Sequence, residues 1–313
     1  MNIGGWSLSQ AFDHIAGEPS SRERFADSIA RIIQIFPMFT TVHLDWQYPG
    51  SAGTAANYYG PEDSENYAAL IRTVRAKAPG VTIAISAPGT PTALEAMNIP
   101  ALLSAGADRI NLLAYDLFGS PWAEEITHHA PLMHDPRDEN LNSADKAVSY
   151  LIDAHEVDPS RIHLVYATHS RNAQQATLAS FSPLRGRYTP RDPDNDNTVG
   201  TFTPGESEPA DILRNYVDLE TGKGRNGFVL RTDKVSEADY LYNATTKVFI
   251  SLDTPRSVKA KAEYARRRGL GGLVAWRADA DTGLLANAAR EGFGHTATGT
   301  TIDMKPLYNT YQN

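Results

Sequence analysis

Short, near-continuously apolar runs alternate with amphipathic stretches along most of this chain. Thr41–Trp46, Val81–Ala87, Arg109–Tyr115, Ile162–Thr168 and Gly272–Trp276 predict strands covered on both faces. Between them, Ser64–Ala78, Ile99–Ala105, Ala144–His155, Ser257–Arg268 and Gly283–Glu291 predict helices. The turns agree with these limits: Ala78-Pro79-Gly80 closes one helix, Asp158-Pro159-Ser160 precedes a strand, and Asp63 or Ser64 can cap a helix start. Strand–helix alternation of this kind specifies an α/β fold with a parallel sheet and helices outside it.

The rhythm breaks between Asn172 and about Thr246. This stretch is rich in Pro, Gly, Asp and Asn, as in Arg191–Asn197, with Gly227–Arg231 as a short strand candidate and Lys247–Ser251 as a strand at its end. Tyr216, Phe228, Tyr240 and Tyr242 supply apolar mass. The expectation is therefore an insertion of roughly 75 residues forming one wall of a groove, rather than a disordered loop.

Composition narrows the function. A chain of 313 residues can bury a large core. A net charge of −8 argues against nucleic-acid or anionic-membrane partners, which need a basic face, and is compatible with a neutral polysaccharide. With no cysteine there are no disulfides and no thiolate metal sites. No apolar run reaches membrane-spanning length. The N-terminus Met1–Trp6 has no charged and apolar leader pattern, so no localisation is assigned. His128, His129, His134, His163 and His169 show no metal-binding spacing such as His-Glu-x-x-His. No metal and no cofactor are expected.

The chemically informative stretch is Phe39–Gly50, where a strand ends at a carboxylate, an aromatic, an amide and a turn. Alternate strand residues point the same way, so His43, Asp45 and Gln47 share one face. In a (βα)8 barrel that strand end is where chemistry sits.

Here the chain resembles glycoside hydrolase family 18, the chitinase type. The family signature Asp-Gly-x-Asp-x-Asp-Trp-Glu, followed by Tyr-Pro-Gly, is matched at Asp45, Trp46, Tyr48, Pro49 and Gly50. The chain departs from it at Thr40, Thr41, His43 and Gln47. Gly4-Gly5-Trp6-Ser7 resembles the motif on the family's third barrel strand. Asn111–Ser120, with Tyr115-Asp116, is similar to the Met-x-Tyr-Asp motif on its sixth. Lys247–Trp276 resembles its closing segment. The fold implied is a (βα)8 TIM-type barrel apparently lacking its first two strands, because the chain begins inside the Gly-Gly-Trp motif. Residues 1–171 would carry strands three to seven, 172–246 a small α+β insertion, and 247–313 the end of the barrel.

The resemblance implies site residues position by position. Gln47 occupies the place of the general acid. Asp45 would hold the 2-acetamido N–H of an N-acetylglucosamine unit, and Tyr115 would bond the same group. Trp276 would floor the sugar, or else pack in the core. Trp122 and Trp6 would add stacking surface, with core packing the alternative for Trp6. Asp116 would be a second polar contact or a buried helper. His43 replaces an acidic neighbour of Asp45, either as an imidazolium favouring the ionised carboxylate or as a neutral buried ring. Asp45, Gln47, Tyr115 and Trp276 would line one groove. The family uses the substrate's own acetamide as nucleophile, so one protein group must protonate the leaving oxygen. A glutamine amide cannot do so. Three readings follow: a chitinase-like protein that binds chitin or related N-acetylglucosamine oligomers without hydrolysis; an active chitinase or endo-N-acetylglucosaminidase whose native glutamate has been exchanged for glutamine; or a degenerate remnant without ligand. Relatives of this type are often extracellular.

Overall fold

A computed structural model describes residues 1–120, 122–123, 125–189, 205–218, 221–295 and 308. Two compact units share the chain, Met1–Leu113 with Ala147–His163, and Ala114–Lys146 with Leu164–Asn313. The run Arg191–Asn197 lies outside the described residues.

The first unit contains β1 (Asn2–Gly4), α1 (Phe12–Gly17), α2 (Pro19–Ile35), β2 (Thr41–Asp45), α3 (Asp63–Lys77), β3 (Thr82–Pro88), α4 (Pro91–Met97), α5 (Ile99–Ser104) and β4 (Arg109–Leu113). α6 (Ala144–Asp153) and β5 (Ile162–Ala167) run across the division of the chain. β1 to β4 pair in parallel and in chain order, aligning Asn2 with His43, Gly4 with Asp45, Ala84 with Arg109 and Ser86 with Asn111. The outward-facing members Val42, Leu44, Ile83 and Ile85 are buried, which requires a covering layer. α3 supplies part of it with Tyr67, Leu70, Ile71 and Val74, spaced three or four apart on one face. Trp46 stacks on Phe12 at 5.6 Å and meets Tyr67 edge-on at 5.2 Å, while the Tyr67 hydroxyl donates to the Leu44 carbonyl at 2.8 Å. The strand that carries Asp45 is thus clamped from its outer side.

Gly4 closes this arrangement. Its φ is +103°, and a Cβ there would lie 2.4 Å from the Asp45 carbonyl oxygen and 2.7 Å from Phe12 Cε2. Gly4→Ala is expected to destabilise the protein by about 2–5 kcal/mol, combining a strained φ with an overpacked contact. Urea unfolding checks this, and a midpoint unchanged from the parent would contradict it.

The second unit continues with β6 (Ser170–Ala173), β7 (Thr177–Phe181), β8 (Leu184–Arg187), β9 (Glu206–Ser207), α7 (Pro209–Asn215), β10 (Val217–Asp218), β11 (Lys223–Gly224), β12 (Val229–Asp233), β13 (Ala238–Asn243), β14 (Val248–Leu252), α8 (Pro255–Arg268), β15 (Gly272–Trp276) and α9 (Leu284–Gly292). Five strands form an antiparallel sheet in the order β12-β13-β14-β6-β9. Its two faces bury different clusters. Tyr240 and Phe249 pack with Phe118, Ile126 and Tyr188, whereas Leu241 and Ile250 pack with Ile212, Tyr216 and Leu230. Neighbouring residues on one strand point to opposite faces, so the alternation of aromatic and aliphatic positions builds both cores. The four aromatics singled out in the sequence all take part, with Tyr242 against the first cluster and Phe228 against the second. The segment Val248–Leu252 belongs to this antiparallel sheet.

α8 shows how the sequence sets its ends. Thr254 and Ser257 form a capping box, Pro255 occupies the first turn, and Gly269 ends the helix at φ +69°. Arg266, Arg267 and Arg268 lie in the last turn, where the helix dipole favours cations. The fold class is α/β: an incomplete (βα)8-type parallel sheet flanked by helices, with a small α+β insertion. This is the architecture read from the sequence.

Candidate functional site

β2 ends at Asp45, and the chain turns immediately after it. Asp45 is buried and acts as an acceptor throughout. Its Oδ1 accepts from Ser86 Oγ at 2.5 Å and from Gln47 Nε2 at 2.9 Å, and its Oδ2 accepts from Asn2 Nδ2 at 3.3 Å. Its backbone carbonyl accepts from Gly5 N–H at 2.7 Å and from Ser9 Oγ at 3.1 Å. Gln47 is equally fixed: Ser9 Oγ accepts its N–H at 3.0 Å, and Asn57 Nδ2 donates to its carbonyl at 2.7 Å. Further along the turn, Asp63 Oδ2 accepts from the N–H groups of Gly50 and Gly60 at 3.0 and 2.9 Å. Asp45 and Gln47 are therefore held by backbone-anchored contacts on several elements, and their relative geometry is preorganised.

Proton counting fixes the groups behind Asp45. Ser86 has one hydroxyl proton, and it goes to Asp45. His43 Nε2, 2.9 Å from Ser86 Oγ, must then be the donor of that contact. Asn111 Nδ2 lies 3.5 Å from His43 Nδ1 and 3.3 Å from Nε2. Burial, opposed by the pull of Asp45, pushes His43 below the usual imidazole range. The imidazolium considered from the sequence is disfavoured, and the ring is the neutral Nε2–H form. Its partners are side chains on β3 and β4 rather than backbone. The chain Asn111, His43, Ser86, Asp45 thus hands a fixed set of donors to one carboxylate.

In the second unit, Tyr115 meets His169 edge-on at 5.7 Å. The next residue, Asp116, has φ +55° and takes a forked pair from Arg171, Nε to Oδ1 at 2.7 Å and Nη2 to Oδ2 at 2.6 Å. Burial opposes its charge, but Arg171, His129 and His169 together outweigh burial and hold the carboxyl well below its usual range. Arg171 lies over the Trp122 ring, 5.1 Å from its centre. Gly119 makes room there, since a Cβ would sit 2.0 Å from the indole. Trp276 ends β15, and its carbonyl accepts from Thr168 N–H at 2.8 Å and Thr168 Oγ1 at 3.0 Å.

Trp6 and Trp276, left between stacking and core roles, are exposed by 51% and 41%, and Trp122, read as stacking surface, by 56%. None of them is a core residue. Within the first unit the structure puts His43 and Asp45 on one face of β2, with Gln47, in the turn beyond it, hydrogen-bonded to Asp45. Within the second it groups Tyr115, Asp116 and Trp122 around His169 and Arg171. Sequence reading missed Ser86, Asn111, Asn2, His129, His169 and Arg171 as partners. A usable signal existed for Ser86 and Asn111, which are polar positions facing inward on otherwise apolar strands. None existed for His129 and His169, which only the fold brings to Asp116.

Against known proteins, the model of the family described as glycosyl hydrolases family 18 matches residues 1–281. Chitinase 1 of Yersinia entomophaga is 44% identical over 98% of this chain and 57% of its own length. Chitinase A1 of Niallia circulans is 30% identical over 90% of this chain and 40% of its own. The crystal structure of chitinase Chi1, fitted into the Yersinia entomophaga toxin complex, superposes with a TM-score of 0.92 at 44% identity. That match covers 98% of this chain and 60% of that one. Chitinase ChiA74 from Bacillus thuringiensis superposes with a TM-score of 0.81 at 26% identity, covering 96% of this chain and 51% of that one. The chain thus spans about half the length of the curated relatives it matches.

Proposed function

The chain belongs to glycosyl hydrolase family 18, and on that premise we propose that it binds N-acetylglucosamine oligomers, of chitin or a related glycan, without cleaving them. The observation that carries this reading is the Gln47–Asp45 pair at 2.9 Å. On the family pattern Gln47 stands at the general-acid position. One of its Nε2–H groups is given to Asp45; the other can donate a hydrogen bond but is not acidic, and the carbonyl oxygen only accepts, so the amide has no proton to transfer. In a substrate-assisted reaction the acetamido oxygen attacks the anomeric carbon while the leaving oxygen takes a proton from the protein. Here that proton has no donor at residue 47.

Binding does not need the acid. Asp45, already positioned by Ser86 and Asn2, accepts the acetamido N–H on this reading. Tyr115 and Trp276 take the acetamido-bonding and ring-stacking roles of the family pattern.

Titration calorimetry with chitin oligosaccharides tests the proposal. Saturable heat is expected, with no shorter oligomers on chromatography after prolonged incubation. Asp45→Ala should weaken binding by roughly ten- to a hundredfold, the worth of a hydrogen bond to a charged group. Absence of heat with every oligomer length would leave a remnant without ligand. Turnover by the unaltered chain would sink the non-hydrolytic reading.

A further inference from the structure

Asp116 faces two imidazoles as well as Arg171. His169 Nε2 lies 2.9 Å from Asp116 Oδ1, and His129 Nδ1 lies 3.5 Å from the same oxygen. The three ligand atoms all fall within 4.8 Å of one another. Four-coordinate zinc with bonds of about 2.0–2.1 Å sets its ligand atoms roughly 3.3 Å apart, a value bracketed by the two separations from Asp116 Oδ1, 2.9 Å to His169 and 3.5 Å to His129. His129 is fully buried, and neither of its ring nitrogens has a hydrogen-bond partner among the described residues. A closed-in imidazole with no hydrogen bond of normal geometry is uncommon, and here its Nδ1 faces the Asp116 carboxylate at 3.5 Å.

We propose that Asp116, His129 and His169 form a binding site for a borderline transition-metal dication of the Zn²⁺ class, with water completing the coordination. The donor set is right for such an ion: two imidazoles and one carboxylate suit zinc, cobalt or nickel and are poor for magnesium or calcium. Asp116 is partly exposed and gives a path in.

Arg171 is the resident competitor. A metal on Oδ1 would replace the contacts that Arg171 Nε and His169 Nε2 now make to that oxygen, and would leave the 2.6 Å contact from Arg171 Nη2 to Oδ2 in place. That contact then orients the ligating carboxylate from outside the metal's own shell. Arg171 also keeps Glu206 at 3.0 Å, whose negative charge tempers the cation already present.

The test uses the tag-free chain, stripped with a chelator. Zn²⁺ calorimetry should show one ion per chain, undisturbed by millimolar Mg²⁺. Co²⁺ should give the intense visible bands of a four- or five-coordinate site rather than the weak octahedral spectrum. His169→Gln, at the rim of the cluster, and His129→Gln should each weaken Zn²⁺ at least tenfold. No stoichiometric binding, an octahedral cobalt spectrum, or affinities unchanged by both histidine substitutions would overturn the site. The cobalt spectrum needs no variant, so the proposal stays testable if His129→Gln does not fold.

Discussion

Gln47→Glu raises hydrolysis of chitin oligomers by roughly two to four orders of magnitude, the range that general acid catalysis supplies. The substitution is nearly isosteric and keeps an acceptor, and it restores a proton where the leaving oxygen needs one. The Asp45 side is prepared for it. Ser86 and Asn2 already hold two of the contacts on Asp45, so a protonated carboxyl introduced at position 47 can donate to Oδ1 in place of the present amide. A protonated carboxyl beside an ionised one is the form that burial and like charge both favour. Rates on an aryl chitobioside, with oligomer binding measured in parallel, decide the outcome. A large gain marks a site otherwise intact, as in a hydrolase whose glutamate was exchanged. Binding with no gain shows that Thr40 and His43, where the family has other residues, also matter to catalysis. If the substituted chain neither binds nor cleaves, the assignment of residue 47 fails.

Lys261→Met should cost about 3–5 kcal/mol of stability, because it leaves an uncompensated buried charge. Lys261 Nζ donates to Asp253 Oδ1 and Oδ2 at 2.7 and 2.6 Å, and both side chains are 1% exposed. Asp253 also accepts from Ser257 Oγ at 2.7 Å and from Ala167 N–H at 3.2 Å. The pair thus ties the first turns of α8 to the end of β5. Removing only the cation strands the carboxylate among groups that cannot replace it. A loss of this size is a large fraction of a typical domain's stability. The double change Lys261→Met with Asp253→Leu should recover most of it, since a hydrophobic replacement of a buried pair is often neutral. Urea denaturation of the three chains checks both statements. A single-variant loss below about 1 kcal/mol would show that the stranded charge finds water.

Much of this protein follows from its sequence alone. The near-continuous apolar runs pointed to covered parallel strands, which holds for β2 to β4 but not for the half-buried β15, and the strand starting at Thr41 with the helix ending at Arg268 lie where pattern and capping chemistry put them. Strand alternation by itself placed His43 and Asp45 on one face. α1 and α2 were not legible. Within α2 only Ser21, Ala26 and Ile29 are buried, a stripe too small and polar to stand out, and Glu18 caps it without a side-chain bond. Pro19 in the first turn was the one available cue.

Tertiary structure decided what no spacing encodes. Parallel register set Asn2 beside His43 and Ser86 beside Asn111. Those pairings assigned the single Ser86 proton to Asp45 and made His43 a neutral donor. Burial, absent from the sequence, pushed the His43 and His129 rings towards their uncharged forms. Chain reversal brought His129 and His169 to Asp116 across separations with no periodicity. It also exposed Trp6 and Trp276, which the sequence left open between stacking and core packing. Pattern reports which face a residue takes. Charge state, proton ownership and partners depend on what the fold sets opposite it.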